Sequence, residues 1–170
     1  LFRSNYQSAD KGGTSPLMIA SEKGNIEIVK YLLTKKAKVN IKDNEDYHSL
    51  MYAVRGGNLE VVKILIQNKA NVNAAGLDGW TPLLDAANIG YAEIVRYLIK
   101  VGASVNDVNT YEESPLILAA KNGHIDIVKI LIKNGADLTM VDAEGKSALQ
   151  HAEATGNKEI IEILKKNLPK

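Results

Sequence analysis

The 170-residue sequence contains no cysteine, which excludes disulfide bonds, thiolate catalysis and zinc sites with cysteine ligands. It also lacks an excess of either charge. Its 21 basic and 20 acidic side chains give a net charge of +1, which argues against a strongly basic nucleic-acid-binding protein. No apolar run approaches the ~20 residues that a membrane-spanning helix needs. What is present, 45% hydrophobic and 24% charged residues, is typical of a globular protein with a sizeable core.

Identical residues recur along the chain at a spacing of 33 positions. The recurring residues are Gly24, Gly57, Gly90, Gly123 and Gly156, then Ala20, Ala53, Ala86, Ala119 and Ala152, and then Leu32, Leu65, Leu98, Leu131 and Leu164. Because three residue types share one period, the sequence indicates an array of five similar units.

The third unit shows what each repeat can form. Thr81 offers a hydroxyl N-cap and Pro82 fits the first helical position, so a short helix is predicted to begin there. Gly90 is predicted to end it, and residues 94–99 carry the apolar face of a second helix. Neither helix can bury its apolar stripe alone, so the units must stack on one another.

The repeat resembles the ankyrin-repeat family. The motifs that carry the resemblance are Thr81-Pro82-Leu83, Ser114-Pro115-Leu116, Gly123-His124 and Gly135-Ala136-Asp137-Leu138. The resemblance implies an all-α, ankyrin-repeat α-solenoid, in which helix-turn-helix units carry projecting β-hairpin-like loops.

Two kinds of departure from the family pattern occur. His48-Ser49-Leu50 stands where the family has Thr-Pro-Leu, and Asp46 and Glu112 stand where a turn glycine is usual. We expect these changes to weaken the local turns without threatening the fold.

The period divides the chain into five repeats with distinct ends. We expect repeats at residues 10–42, 43–75, 76–108, 109–141 and 142–170, after an N-terminal extension or remnant of a preceding repeat at residues 1–9. In the last repeat Glu153 and Lys165 replace apolar residues, which predicts a C-terminal cap whose outer face meets water. The first repeat has no such polar replacements.

Catalytic and metal-binding patterns are missing from the sequence. His48 and His124 fit structural positions of the repeat, and His151 is predicted to lie solvated on an exposed face. No histidine pair has metal-ligand spacing, and the glycines follow the repeat and form no phosphate-binding loop. We therefore expect no enzyme, no catalytic residue, no cofactor and no metal.

The resemblance also implies where partners bind, because the family uses the loop tips and the concave face of the first helices. The residues at those positions here are Tyr47, Tyr52, Arg55, Leu77, Trp80, Asp85, Asn88, Ile89, Tyr111, Glu113, Leu118 and Lys121. Tryptophan, tyrosine and arginine are the residues most enriched in interface hot spots. For Trp80 the alternative is partial burial against a neighbouring loop.

The sequence thus predicts a non-catalytic protein–protein interaction module that binds a protein partner through these residues. The alternative is a regulatory or scaffolding segment of a longer multidomain protein, which the unmodified first repeat favours. We expect no nucleic-acid partner, no membrane partner and a monomer. We also expect a soluble protein, either cytoplasmic or exported after removal of a leader.

Overall fold

The computed structural model describes residues 9–169, so residues 1–8 of the predicted N-terminal extension lie outside the described residues. The described part contains ten α-helices and no β-strand, apart from a single antiparallel bridge between Val141 and Ser147. The helices are α1 (Pro16–Glu22), α2 (Ile26–Thr34), α3 (Ser49–Arg55), α4 (Leu59–Gln67), α5 (Pro82–Ile89), α6 (Ala92–Lys100), α7 (Pro115–Lys121), α8 (Ile125–Lys133), α9 (Ala148–Thr155) and α10 (Lys158–Asn167). Each repeat therefore supplies one first helix (odd-numbered) and one second helix (even-numbered).

The first helices begin as the sequence predicts. The hydroxyl of Thr81 accepts a hydrogen bond from the backbone amide of Leu84 at 3.3 Å, and Pro82 occupies the first turn of α5. Gly90 ends α5 in the left-handed region with φ of 104°. Serine caps α1, α7 and α9 in the same way, whereas His48 at the start of α3 makes no side-chain capping bond.

The second helices are capped mainly by asparagine. Asn25, Asn58 and Asn157 each accept a hydrogen bond from a first-turn amide of α2, α4 and α10. Tyr91 and His124 occupy the same position before α6 and α8 and provide no capping bond. In α6 and α8 a first-turn backbone amide therefore lacks the side-chain acceptor that it has in the other three second helices.

Two compact units make up the described chain, and each has its own packed core. In residues 9–77, α1 packs against α2 and α3, and α4 packs against α2 and α3. The close approach of α1 and α3 needs Gly56, because a methyl group there would overlap the carbonyl oxygen of Glu22. Fully buried Leu17, Met51 and Leu65 form part of this core.

The second unit, residues 78–169, continues the same packing. First helices α5, α7 and α9 pack in sequence, as do second helices α6, α8 and α10. Ala86, Ala119 and Ala152 are completely buried, and these small side chains allow neighbouring helices to approach closely. Leu98 of α6 and Leu131 of α8 are completely buried as well.

Asparagine side chains connect the ends of successive repeats. The amide nitrogen of Asn40 donates to the carbonyl of Lys69 at 2.8 Å, and its oxygen accepts from the amide of Asn71 at 2.9 Å. Asn106 makes the equivalent pair of bonds to Gly135 and Asp137 at 3.2 and 2.9 Å. Asn40 and Asn106 stand at equivalent positions of the repeat and therefore link successive repeats within each unit.

The two polar replacements in the last repeat are exposed and pair with each other. The Lys165 ammonium lies 2.9 Å from a carboxylate oxygen of Glu153. Across residues 9–169, no helix has the length and apolar character that crossing a membrane requires.

Candidate interaction surface

The loops that precede the first helices are built around a recurring aspartate or asparagine. We call these segments the finger loops; they cover residues 9–14, 42–47, 75–80, 108–113 and 141–146. In four of them one side-chain oxygen accepts hydrogen bonds from the amides two and four residues later, at 2.8–3.0 Å. The accepting residues are Asp10, Asp43, Asn109 and Asp142. Each such loop is therefore rigidified from inside.

Backbone hydrogen bonds also join neighbouring finger loops. In the first unit the amide of Leu77 donates to the carbonyl of Glu45 at 3.0 Å. In the second unit the amide of Ala143 donates to the carbonyl of Tyr111 at 2.9 Å, and the amide of Thr110 donates to Asp78 at 2.9 Å. Loops 42–47, 108–113 and 141–146 are thus held both internally and by a neighbouring finger loop.

Asp46 and Glu112, which stand where a turn glycine is usual, keep the backbone conformation of that glycine. Gly79 and Gly145 have φ of 74° and 76°, and Asp46 and Glu112 at the equivalent positions have φ of 60° and 57°. A side chain in the left-handed region is strained, because its Cβ approaches the carbonyl oxygen. The loop geometry is retained at both positions, and the weakening of these turns stays a prediction.

In the first unit three predicted binding residues take part in two side-chain pairs, one of which includes Asp43. The Tyr52 hydroxyl donates to Asp43 at 2.7 Å, and burial together with this bond raises the pKa of Tyr52 to about 12. The Arg55 guanidinium lies 4.0 Å from the centre of the Tyr47 ring. Leu77 is the most exposed of the predicted residues, at 65%.

Tyr47 was predicted to lie on the partner-binding surface, but the structure leaves little of it exposed. Its side chain is buried, with Arg55 over the ring on one side. The ring also lies close to Gly76, where an added Cβ would be 2.9 Å from Cε1 of Tyr47. Tyr47 therefore supports its finger loop and offers a partner little surface.

Three residues of the second unit that were predicted to bind a partner are also buried. Asp85 and Leu118 are 5% and 2% exposed within α5 and α7. Glu113 is held on both carboxylate oxygens, by Asn109 at 2.9 Å and by Lys121 at 2.8 Å. Its role is to fix the end of its finger loop, and the bond to it raises the pKa of Lys121.

The other predicted residues of the second unit remain accessible to different degrees. Tyr111 is 58% exposed and Ile89 40%, and Lys121 is exposed along its side chain. Trp80 is half-buried, and so is Asn88, whose side-chain oxygen accepts from Asn122 at 2.9 Å. Beside Tyr111 lies a cavity of about 300 Å³ between loops 108–113 and 141–146. Its lining residues are Tyr111, Glu113, Lys121, Asp142, Ala143 and Glu144.

His151 was expected to be solvated, and the structure corrects this. Its Nε2 lies 2.6 Å from Oδ2 of Asp142, and only 11% of its side chain is exposed. Burial by itself would raise the pKa of Asp142, but hydrogen bonds from the Lys146 amide and from His151 outweigh it, so the pKa is lowered. The last finger loop is thereby fixed to α9.

The other two histidines have structural surroundings. His124 places Nε2 3.0 Å from the carbonyl oxygen of Asn88. His48 is buried, and burial and the nearby Lys42 lower its pKa. Within residues 9–169, its Nδ1 has no hydrogen-bond partner, and no group of three or more histidine, aspartate or glutamate side chains is arranged to hold a metal ion.

Sequence reasoning missed the residues that organise the finger loops. Asp43, Asn109 and Asp142 follow Asp10 at the 33-residue period, so the signal was present in the sequence. It also missed Val108 and Val141, which are 38% and 44% exposed at the bases of two finger loops. Their equivalents earlier in the chain are not large apolar residues, so the repeat gave no indication of them.

Comparison with known proteins gives one clear result. A family model described as "Ankyrin repeats (3 copies)" matches residues 1–76, 17–109, 50–142 and 102–169, which together cover almost the whole chain. No curated protein matches the sequence. The match and the succession of paired helices confirm the predicted all-α, helix-turn-helix class. The chain belongs to the ankyrin-repeat family.

Proposed function

We propose that this chain is a non-catalytic module that binds a protein partner through its finger loops and the adjoining faces of its first helices. Ankyrin repeats are generally protein–protein interaction modules, and the family is typically non-enzymatic. The single observation that carries the proposal is Tyr111, a large aromatic side chain that is 58% exposed on a loop of fixed geometry.

The surroundings of Tyr111 favour recognition over a structural role. The loop is held by Asn109 from within, and its carbonyl at Tyr111 accepts the amide of Ala143. An aromatic residue on a rigid loop loses little conformational entropy when it docks, so more of its burial contributes to affinity. The neighbouring cavity, with Lys121 and Glu144 on its wall, can receive a polar partner side chain.

Ile89 and Leu77 extend the set of exposed apolar side chains, one in each unit. Tyr47, Asp85, Glu113 and Leu118 are left out of the contact set because they are buried. Their contribution to binding is to hold the loops and helices that present the exposed residues.

The proposal is tested by crosslinking in extracts of the source cell. A photo-crosslinking amino acid replaces Tyr111 in the full chain, and in a matched control it replaces Tyr31, which is 50% exposed on α2. We expect a discrete protein adduct from position 111 and none from position 31. With the captured protein purified, Tyr111→Ala should weaken binding about tenfold or more, and Tyr31→Ala should leave it unchanged. Adducts of equal yield at both positions, or none at 111, would reject the proposal.

A further inference from the structure

A groove between α6 and α8 of the second unit is lined by cations. It has a volume of about 360 Å³ and lies near the C-terminal ends of both helices. The lining residues are Arg96, Ile99, Lys100, Ile130, Lys133 and Asn134. Three of these six carry a positive charge and none carries a negative one. Such a groove is electrostatically complementary to an anionic ligand.

Two of the three cations have no internal counter-charge. Within residues 9–169, neither Lys100 nor Lys133 takes part in an ion pair or a side-chain hydrogen bond, and Arg96 has only a 3.4 Å contact with Glu93. Four other lysines of the same unit each lie 2.7–2.9 Å from a carboxylate. These lysines are Lys121, Lys129, Lys146 and Lys165. The groove therefore collects charges that the fold itself does not neutralise.

The first unit shows that the fold does not need these cations. The equivalent groove between α2 and α4 has a volume of about 320 Å³ and carries one cation, Lys30. Thr34 stands at the position of Lys100, and Asn68 at that of Asn134. Helices α2 and α4 have no basic residue in their last turns, yet both form complete helices. Stabilising the C-terminal ends of α6 and α8 through the helix dipole is therefore a minor role of Lys100 and Lys133.

The spacing of the cations indicates how the negative charges of a ligand should be spaced. Lys100, Lys133 and Lys166 occupy the last turns of the successive second helices α6, α8 and α10. Packed helices lie about 8–10 Å apart, which corresponds to about three residues of an extended chain. In an extended segment of polyproline II form, side chains three residues apart point to the same side about 9 Å apart, so a carboxylate at every third residue would lie near each lysine. The half-buried Ile99 beside Ile130 would contact the apolar residues between them.

A protein ligand fits this groove better than a nucleic acid. The lining contains isoleucines and no aromatic ring on which a base could stack. The net charge of +1 also provides no general field for a polyanion. We propose that the α6–α8 groove binds an extended acidic segment of a partner protein, a second contact that rests on the proposed protein-binding function and lies apart from Tyr111.

The test measures binding of a defined peptide to the full chain. The probe is a fluorescent peptide of about twelve residues with glutamate at every third position, and a second peptide carries glutamine instead. The groove variant combines Arg96→Gln, Lys100→Thr and Lys133→Gln. The matched control removes three exposed cations of the first unit by Lys23→Gln, Lys30→Gln and Lys69→Gln. Both variants lose the same charge, and circular dichroism checks that both fold.

We expect saturable binding of the glutamate peptide that weakens as salt is raised, and no binding of the glutamine peptide. The groove variant should lose at least about tenfold in affinity and the control variant less than about twofold. No binding by the unmodified chain, equal losses in the two variants, or tighter binding of single-stranded DNA or anionic vesicles to the same groove would overturn the proposal. Crosslinking at position 111 is a separate readout, so this proposal can fail while the proposed function stands.

Discussion

Replacing Asp142 by alanine tests how the finger loops are held. The carboxylate is buried, with 7% of the side chain exposed, and it accepts three hydrogen bonds. Two come from the amides of Glu144 and Lys146 at 3.0 and 2.9 Å, and one involves His151 at 2.6 Å. A backbone hydrogen bond contributes about 1 kcal/mol and a bond to a charged group about 1.5–3 kcal/mol. Water can replace part of this in an open loop, so we expect Asp142→Ala to lower the free energy of unfolding by about 2–3 kcal/mol.

The matched variant is Asp142→Asn, because Asn109 holds the preceding finger loop through the same two amide bonds. Asn109 accepts the amides of Tyr111 and Glu113 through its side-chain oxygen, so an asparagine at 142 can keep both amide bonds. It removes the charge next to His151 and replaces Oδ2 by an NH2 group, which can donate to Nε2 of the neutral imidazole. We therefore expect Asp142→Asn to cost less than about 1 kcal/mol.

The assay is urea unfolding followed by far-UV circular dichroism, repeated across pH. The pKa of Asp142 is lowered in the folded state, so the folded state holds fewer protons on this group than the unfolded state. Its contribution is complete above the unfolded pKa of about 3.9 and is lost as pH falls through the lower folded value. The difference between the unmodified chain and Asp142→Ala should therefore shrink in strong acid. Equal stability of Asp142→Ala and the unmodified chain at pH 7, or equal damage from alanine and asparagine, would refute the argument.

Three further predictions concern departures from the repeat pattern. Glu112→Gly should raise the free energy of unfolding by about 1 kcal/mol in urea titrations, because glycine adopts the left-handed backbone without strain. Asp46→Gly should raise it less, because aspartate tolerates this region and Asp46 pairs with Lys42 at 3.2 Å. No gain in stability from Glu112→Gly would contradict the strain. Tyr91→Asn should add the cap that α6 lacks and stabilise the chain by about 0.5–1 kcal/mol, and a loss of stability would show that the ring matters more than the cap. Because the pKa of His48 is lowered, stability should fall as pH drops below about 6.5 toward the folded pKa, and His48→Thr should remove that part of the slope; an unchanged slope between pH 7.5 and 5.5 would locate the effect elsewhere.

Much of the fold could be predicted because each repeat carries the same local signals for the ends and the buried faces of its helices. Thr81 with Pro82 and Gly90 mark the ends of α5 through backbone chemistry that acts within a few residues. The buried alanines and leucines recur at positions where one helix must face the next. The sequence alone reveals this pattern because each repeat packs only on its neighbours, so the buried positions recur at the same spacing.

The exposure of individual side chains could not be predicted in the same way. Tyr47, Glu113 and Leu118 stand at positions that face a partner in the family pattern, yet each is buried by its own loop or helix neighbours. Burial depends on which side chains the loop and the helix after it bring together, such as Asn109 and Lys121 around Glu113. His151 shows the same limit, since only the fold brings it to Asp142 nine residues earlier.

Binding through the proposed surface requires finger loops that are rigid before any partner arrives. Amide hydrogen exchange of the free chain measures this most directly at Thr110 and Ala143, whose amides donate to the preceding finger loop at 2.9 Å. We predict that both amides exchange at least about tenfold more slowly than in an unstructured peptide, and that Asp142→Ala removes the protection at Ala143 but not at Thr110. Exchange of both amides at the unstructured rate in the unmodified chain would contradict the account.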